Sequence, residues 1–321
     1  MTTRSLFINE ADQLRAGWRI AIYLCILVLI ILPGLVIAST IANIAGQDNM
    51  WTVIASTLLM ALAGAAACYL ALRFIDKRPF SSMGLSPHPR ALRELFWGLL
   101  MGFLMLTGAT LTMWMLDMVT LESLSEVPEY YLVGFAANLT LYIIVGFNEE
   151  IWFRGYFYQT LSEGTSYLIA MILISLLFGV AHMGNPNAGD HPFGIVNIVL
   201  AGLLLSYAYV QTRSLWFPIG IHISWNFTQG YIWGLPVSGT SVFKPLVKAT
   251  SHGPDWITGG TFGPEGGILC TIACMIALFV MWKFIRPTDE MIRSVEDARA
   301  IRPYRKMELQ EHGIEPDSTS V

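Results

Sequence analysis

Charge is what this chain most lacks. Of its 321 residues only 13% are Asp, Glu, Lys or Arg, while 54% are hydrophobic and the mean hydropathy is +0.55; a soluble domain carries about 25% charged residues. Too few polar groups remain to cover a surface in water, which excludes a soluble globular protein. A net charge of -4 leaves no basic excess for a nucleic-acid partner. Cysteine is scarce as well, and Cys25, Cys68, Cys270 and Cys274 all lie within apolar runs, which excludes a disulfide framework. Cys270 and Cys274 share a helix face at i, i+4, a spacing that reads as helix–helix packing rather than a metal pair. Neither an internal repeat nor an HExxH sequence occurs, so the inverted repeats of many transporters and the helix-borne zinc signature are both missing.

Long apolar runs are what the chain has in quantity. Stretches of about 20 apolar residues recur at roughly 20–45, 52–74, 95–116, 132–161, 167–183, 195–211, 215–234 and 267–285. They predict an all-α fold, a polytopic membrane bundle of about eight transmembrane helices. With the N-terminus inside, all of the 19 Lys and Arg except Arg154, Lys244 and Lys248 fall on the cytoplasmic side, as the retention of basic loops requires. Both termini are therefore expected in the cytoplasm of a multi-pass protein of the bacterial inner membrane. The chain divides into an interfacial segment, 1–19, a membrane-embedded unit, 20–285, and a charged cytoplasmic tail, 286–321. The first run is too long for a signal-peptide core and is read as retained. Phe7 to Arg19 reads as a helix lying in the interface with Trp18 at headgroup level, and the tail from Pro287 as a short helix followed by disorder.

Against this background Glu149, Glu150 and Arg154 stand out, because an ionised group at bilayer depth costs roughly 2.5 to 3.5 kcal/mol even on lenient scales. At about 100° per residue Glu150 and Arg154 share a helix face as an acid-before-base i, i+4 pair, and Glu149 points away. Arg154 therefore neutralises Glu150 and leaves Glu149 free. Two histidines also lie in or at the ends of runs. His182 follows Phe178 by one turn, and Asn226 follows His222 by one turn. If Ser162–Ser166 is a turn, Glu149 and His182 lie at depths of about 20 and 24 Å and can face each other. The bland alternatives are an interhelical fastener for Glu150 and Arg154 and polar glue between helices for His182, His222 and Asn226. Phe178 is expected to pack on His182.

These residues carry a resemblance. Glu149-Glu150-Ile151-Trp152-Phe153-Arg154, then Phe178 with His182, then His222 with Asn226, resemble in order the three motifs of the CPBP intramembrane protease family, the CAAX prenyl endoprotease and bacteriocin-processing group. The likeness runs from Asn148 to Tyr231. It implies an endopeptidase in which Glu149 is the base, His182 positions a water, His222 and Asn226 donate to the oxyanion, and Glu150 with Arg154 supports Glu149. No cofactor is expected. Zinc held by Glu149, His182 and His222, with Glu150 as base, is the alternative. The implied partner is a membrane-associated peptide or protein: a prenylated CAAX tail, a bacteriocin leader and a membrane-protein segment all fit, and the oligomeric state is left open. A non-catalytic scaffold or immunity protein and a proton-coupled transporter are the rival classes. The glycine-rich segment 235–267 reads either as a lid or as a connector.

Overall fold

The computed structural model describes residues 6–9, 13–46, 49–123, 127–191, 193–240 and 243–285. Five of its helices are long and apolar enough to cross a membrane: α1 (Ala16–Ala45), α2 (Met50–Asp76), α3 (Ala91–Met115), α4 (Pro128–Gly164) and α6 (Gly194–Thr212). Two shorter apolar helices, α5 (Tyr167–Ala181) and α8 (Ile268–Phe284), accompany them. The remaining long helix, α7 (Trp216–Phe227), continues as a π-helical turn over Thr228–Ile232. Each apolar run of the sequence is thus helical, and the fold is almost wholly α.

Local chemistry explains where the helices begin. Asn49 caps α2 by accepting from the Trp51 amide, Ser166 caps α5 by accepting from Ile169, and Pro128 stands in the first turn of α4, where its missing N–H costs nothing. At 37 residues α4 is about 56 Å long, well beyond a hydrocarbon core of about 30 Å. It is also interrupted: Ile151–Phe157 is π-helical, directly after the two glutamates.

Two expectations change. Among the described residues of 7–19, Ile8 and Leu14 form an antiparallel bridge and α1 starts at Ala16, so this segment is not one interfacial helix. The Trp18 indole instead donates to the Leu6 carbonyl. Arg19 is buried within α1, because it meets Asp76 and Glu163 and so joins α1 to the ends of α2 and α4. The tail, 286–321, lies outside the described residues.

The second change is in segment 235–267, which is structured. Its strand β2 (Val247–Ser251) pairs antiparallel with β1 (Val119–Ser123), register Val119 to Ser251, and a one-turn helix (Asp255–Thr258) comes next. Each strand alternates apolar and polar residues over only four positions, Val119 to Glu122 and Val247 to Thr250, too short a run to stand out in the sequence.

Packing is inside-out relative to a soluble protein. Leu29, Val36, Leu168 and Trp282 are exposed on the outer faces of α1, α5 and α8, whereas Glu150, Arg154, Asn138 and Gln229 are fully buried. Helices α3 and α7 approach so closely that a Cβ at Gly98 would strike the Phe217 carbonyl, and one at Gly220 the Leu95 carbonyl. Small residues at such crossings let backbones meet where no hydrophobic effect drives them together. This contact fixes α7 beside the middle of α4.

Candidate active site

Helices α2 to α8 and the loops that follow α5 and α7 surround a cavity of about 810 Å³. Helix α4 contributes Glu149, the C-terminal end of α5 contributes Phe178 and His182, α7 contributes His222, Trp225 and Asn226, and the loop after α7 contributes Ser238 and Glu265.

The two neighbouring glutamates have different surroundings. Glu150 has no solvent exposure, and its Oε1 accepts from Arg154 Nη1 at 3.0 Å and from His222 Nδ1 at 2.8 Å. Arg154 is equally buried; its Nη2 donates to the Gly202 carbonyl at 3.1 Å, its Nε to Ser206 Oγ at 3.4 Å, and its guanidinium lies 4.5 Å from the Phe178 ring centre. A buried ion pair is tolerable when its remaining donors are satisfied in this way. Glu149 keeps 24% of its side chain exposed, and its Oε2 has no hydrogen-bond partner among the described residues.

Both histidines are oriented through Nδ1. His182 stands at the C-cap of α5, where its Nδ1 lies 2.7 Å from the Phe178 carbonyl. A carbonyl only accepts, so Nδ1 carries the proton, and this bond also satisfies one of the orphan acceptors of a helix end. His222 Nδ1 likewise donates to Glu150. The Nε2 atoms of both rings consequently face Glu149, each 3.8 Å from Oε2. That separation exceeds a direct hydrogen bond and suits a contact bridged by water. It also exceeds the edge of about 3.3 Å that tetrahedral zinc with bonds of about 2.0 to 2.1 Å would impose. Among the described residues no group of three or more His, Cys, Asp or Glu side chains is arranged to hold a metal ion.

Phe178 packs on His182, ring centres 4.6 Å apart, as well as on Arg154. Asn226 is buried at the cavity wall. Cys270 and Cys274 are free, buried thiols that also line the cavity.

One residue was missed. Glu265 is buried on the loop, where its carboxylate accepts from Gln229 Nε2, Trp225 Nε1 and Ser238 Oγ. Asn197 of α6 also donates to the Glu265 and Gly267 carbonyls, at 2.7 and 2.8 Å. The loop is thereby clamped onto α6 and α7. Burial pushes the Glu265 carboxyl above the ordinary carboxylate range. Its only mark in the sequence is an acid among glycines, Gly263-Pro264-Glu265-Gly266-Gly267.

Residues 132–228 match the Rce1-like family, described as type II CAAX prenyl endopeptidase. All seven residues singled out by the motifs, from Glu149 to Asn226, lie inside the matched range, so the resemblance drawn from them is met by a family match over that part of the chain. An uncharacterized protein of Bacillus subtilis (strain 168), YyaK, is 30% identical over 166 residues, 49% of this chain and 54% of that protein. The chain therefore spans about half the length of the curated relative it matches.

Proposed function

We propose that this integral membrane protein, related through its central helices to the type II CAAX prenyl endopeptidases, hydrolyses a peptide bond in a membrane-associated or lipidated peptide with a water activated by Glu149. One observation carries the reading: two imidazoles, each held through Nδ1, turn Nε2 to the same unpartnered oxygen of Glu149 at the wall of a cavity.

The chemistry is a consequence of that arrangement. A water bridging Glu149 Oε2 and His182 Nε2 loses a proton to Glu149 as its oxygen attacks the scissile carbonyl carbon. The resulting oxyanion needs donors. With its Nδ1–H held by Glu150, His222 acts in this scheme as an imidazolium, whose Nε2–H donates to the oxyanion beside the Asn226 amide. With Arg154 and His222 positive, Glu149 and Glu150 negative and His182 neutral, the cluster carries no net charge before attack. When the tetrahedral intermediate collapses, the proton on Glu149 passes by way of His182 to the leaving amine and the C–N bond breaks. Glu150 and Arg154 act as a support. The reaction runs on these side chains without zinc, a reading that the 3.8 Å spacings favour.

Purified protein in detergent or bilayers, incubated with membrane-associated peptides, tests the proposal directly. Cleavage by the wild type and none by Glu149→Gln is the expected result; equal cleavage by both would sink the assignment.

A further inference from the structure

A second cavity, about 910 Å³, lies outside the catalytic one, between α3, the end of α6 and α8. Its walls are almost wholly apolar, with Gly108, Ala273, Ile276 and Ala277 along them, and Arg90 and Arg93 are at one end. From Arg93 to Thr112 it runs along 20 residues of α3, a rise of about 28 Å and so nearly the whole hydrocarbon core of about 30 Å. Neither guanidinium has a hydrogen bond or ion pair among the described residues. Glu94 lines the groove beside them, its Oε2 3.4 Å from His88 Nε2 without a hydrogen bond among the described residues, so two arginines stand against one carboxylate at that end. Among the described residues two unpaired guanidiniums therefore cap a membrane-deep, largely apolar groove, and Met105 alone lines both this groove and the catalytic cavity.

From this charge and shape we infer that the groove is a binding site for an anionic phospholipid. The phosphate sits on Arg90 and Arg93 and an acyl chain lies along α3 and α8. Basic pockets between helices are suited to such headgroups because guanidinium forks match phosphate geometry and hydrocarbon walls accept the chain. A zwitterionic lipid brings its own cation to the arginines and gains less. The site differs from the general attraction of basic loops to anionic membranes, since it requires both the arginines and an open groove beside them.

The test is lipid binding measured by native mass spectrometry on the detergent-purified full chain, titrated with phosphatidylglycerol or phosphatidylcholine. Two arginines should favour phosphatidylglycerol by about 10-fold to 30-fold, at about one lipid per chain. Arg90→Gln/Arg93→Gln should remove the preference, whereas Arg73→Gln/Lys77→Gln, at exposed basic positions elsewhere, should keep it. Gly108→Leu is the second probe: a Cβ there meets nothing within 4 Å, so the side chain enters the groove without collision and should displace the acyl chain while thermal stability is kept. Equal binding of the two lipids by wild type, a preference that survives loss of both arginines, equal loss in the control pair, or undiminished binding by Gly108→Leu would each overturn the inference. None of these readouts depends on peptide cleavage.

Discussion

Glu149 and Glu150 are adjacent in the chain and both meet His222, yet they are held differently. One carboxylate is locked between Arg154 and His222, and the other keeps an oxygen turned to two imidazoles with no direct bond. Their substitutions should therefore separate. Glu149→Gln should abolish peptide cleavage with thermal stability within about 0.5 kcal/mol of wild type, since nothing structural is removed. Glu150→Gln leaves Arg154 buried without its counter-charge, for which a loss of about 3 to 5 kcal/mol is expected, and it also removes the acceptor that orients His222. Activity and the midpoint of thermal unfolding, measured together on both variants, check the pair; a stable Glu150→Gln protein would mean that Arg154 is held by Gly202 and Ser206 alone. Asn226→Ala removes the proposed oxyanion donor and should lower kcat about 100-fold to 1000-fold at little-changed KM. Weaker binding at constant kcat would make Asn226 a substrate-binding residue instead.

The helices decide how these side chains meet. Glu149 and Glu150 immediately precede the π-helical turn of α4, and Asn226 lies two residues before that of α7. Such wide turns shift the register of the residues beyond them and are frequent at functional sites. Helix α7 keeps its position through the glycine-lined crossing with α3, so Gly220→Ala should force the backbones apart. A loss of about 1 to 3 kcal/mol is expected from the overpacking, readable as a lower unfolding temperature in detergent; an unchanged temperature would show that the crossing has slack. The loop clamp has its own signature. Because burial raises the folded-state pKa of Glu265, its stabilising contribution is full below the ordinary carboxylate range and is lost as pH rises through the folded value. Raising pH from about 5 to about 8 should destabilise wild type more than Glu265→Gln, and parallel stability curves for the two proteins would refute this.

At the scale of the molecule, the bundle turns apolar side chains outward and buries Glu150, Arg154 and Glu265, so the candidate site lies in a low-dielectric interior where fixed dipoles and charges act strongly. Metal dependence of the proposed activity is a property of the whole molecule. Activity should survive exhaustive chelation in protein that elemental analysis finds free of zinc. Stoichiometric zinc restoring a dead apo-protein would establish the alternative set of Glu149, His182 and His222.

How much of this was legible beforehand varied with the kind of signal. Helices with an apolar run declare themselves through composition, and the pairing of Glu150 with Arg154 is set by 3.6 residues per turn, because both are local consequences of chain geometry. The ordered motifs, read through the family resemblance, singled out residues that the fold gathers at one cavity. Glu265, the β1–β2 pairing and the bridge between Ile8 and Leu14 left no such trace: each depends on segments far apart in the chain, or on a turn without period, and becomes visible only when packing brings the partners together. The tautomers of His182 and His222 belong with them. Sequence placed one imidazole, His182, and the carboxylate of Glu149 at similar depths, and only the fold, by setting Glu150 against the Nδ1 of His222 and the Phe178 carbonyl against that of His182, decided which nitrogen each ring turns to Glu149.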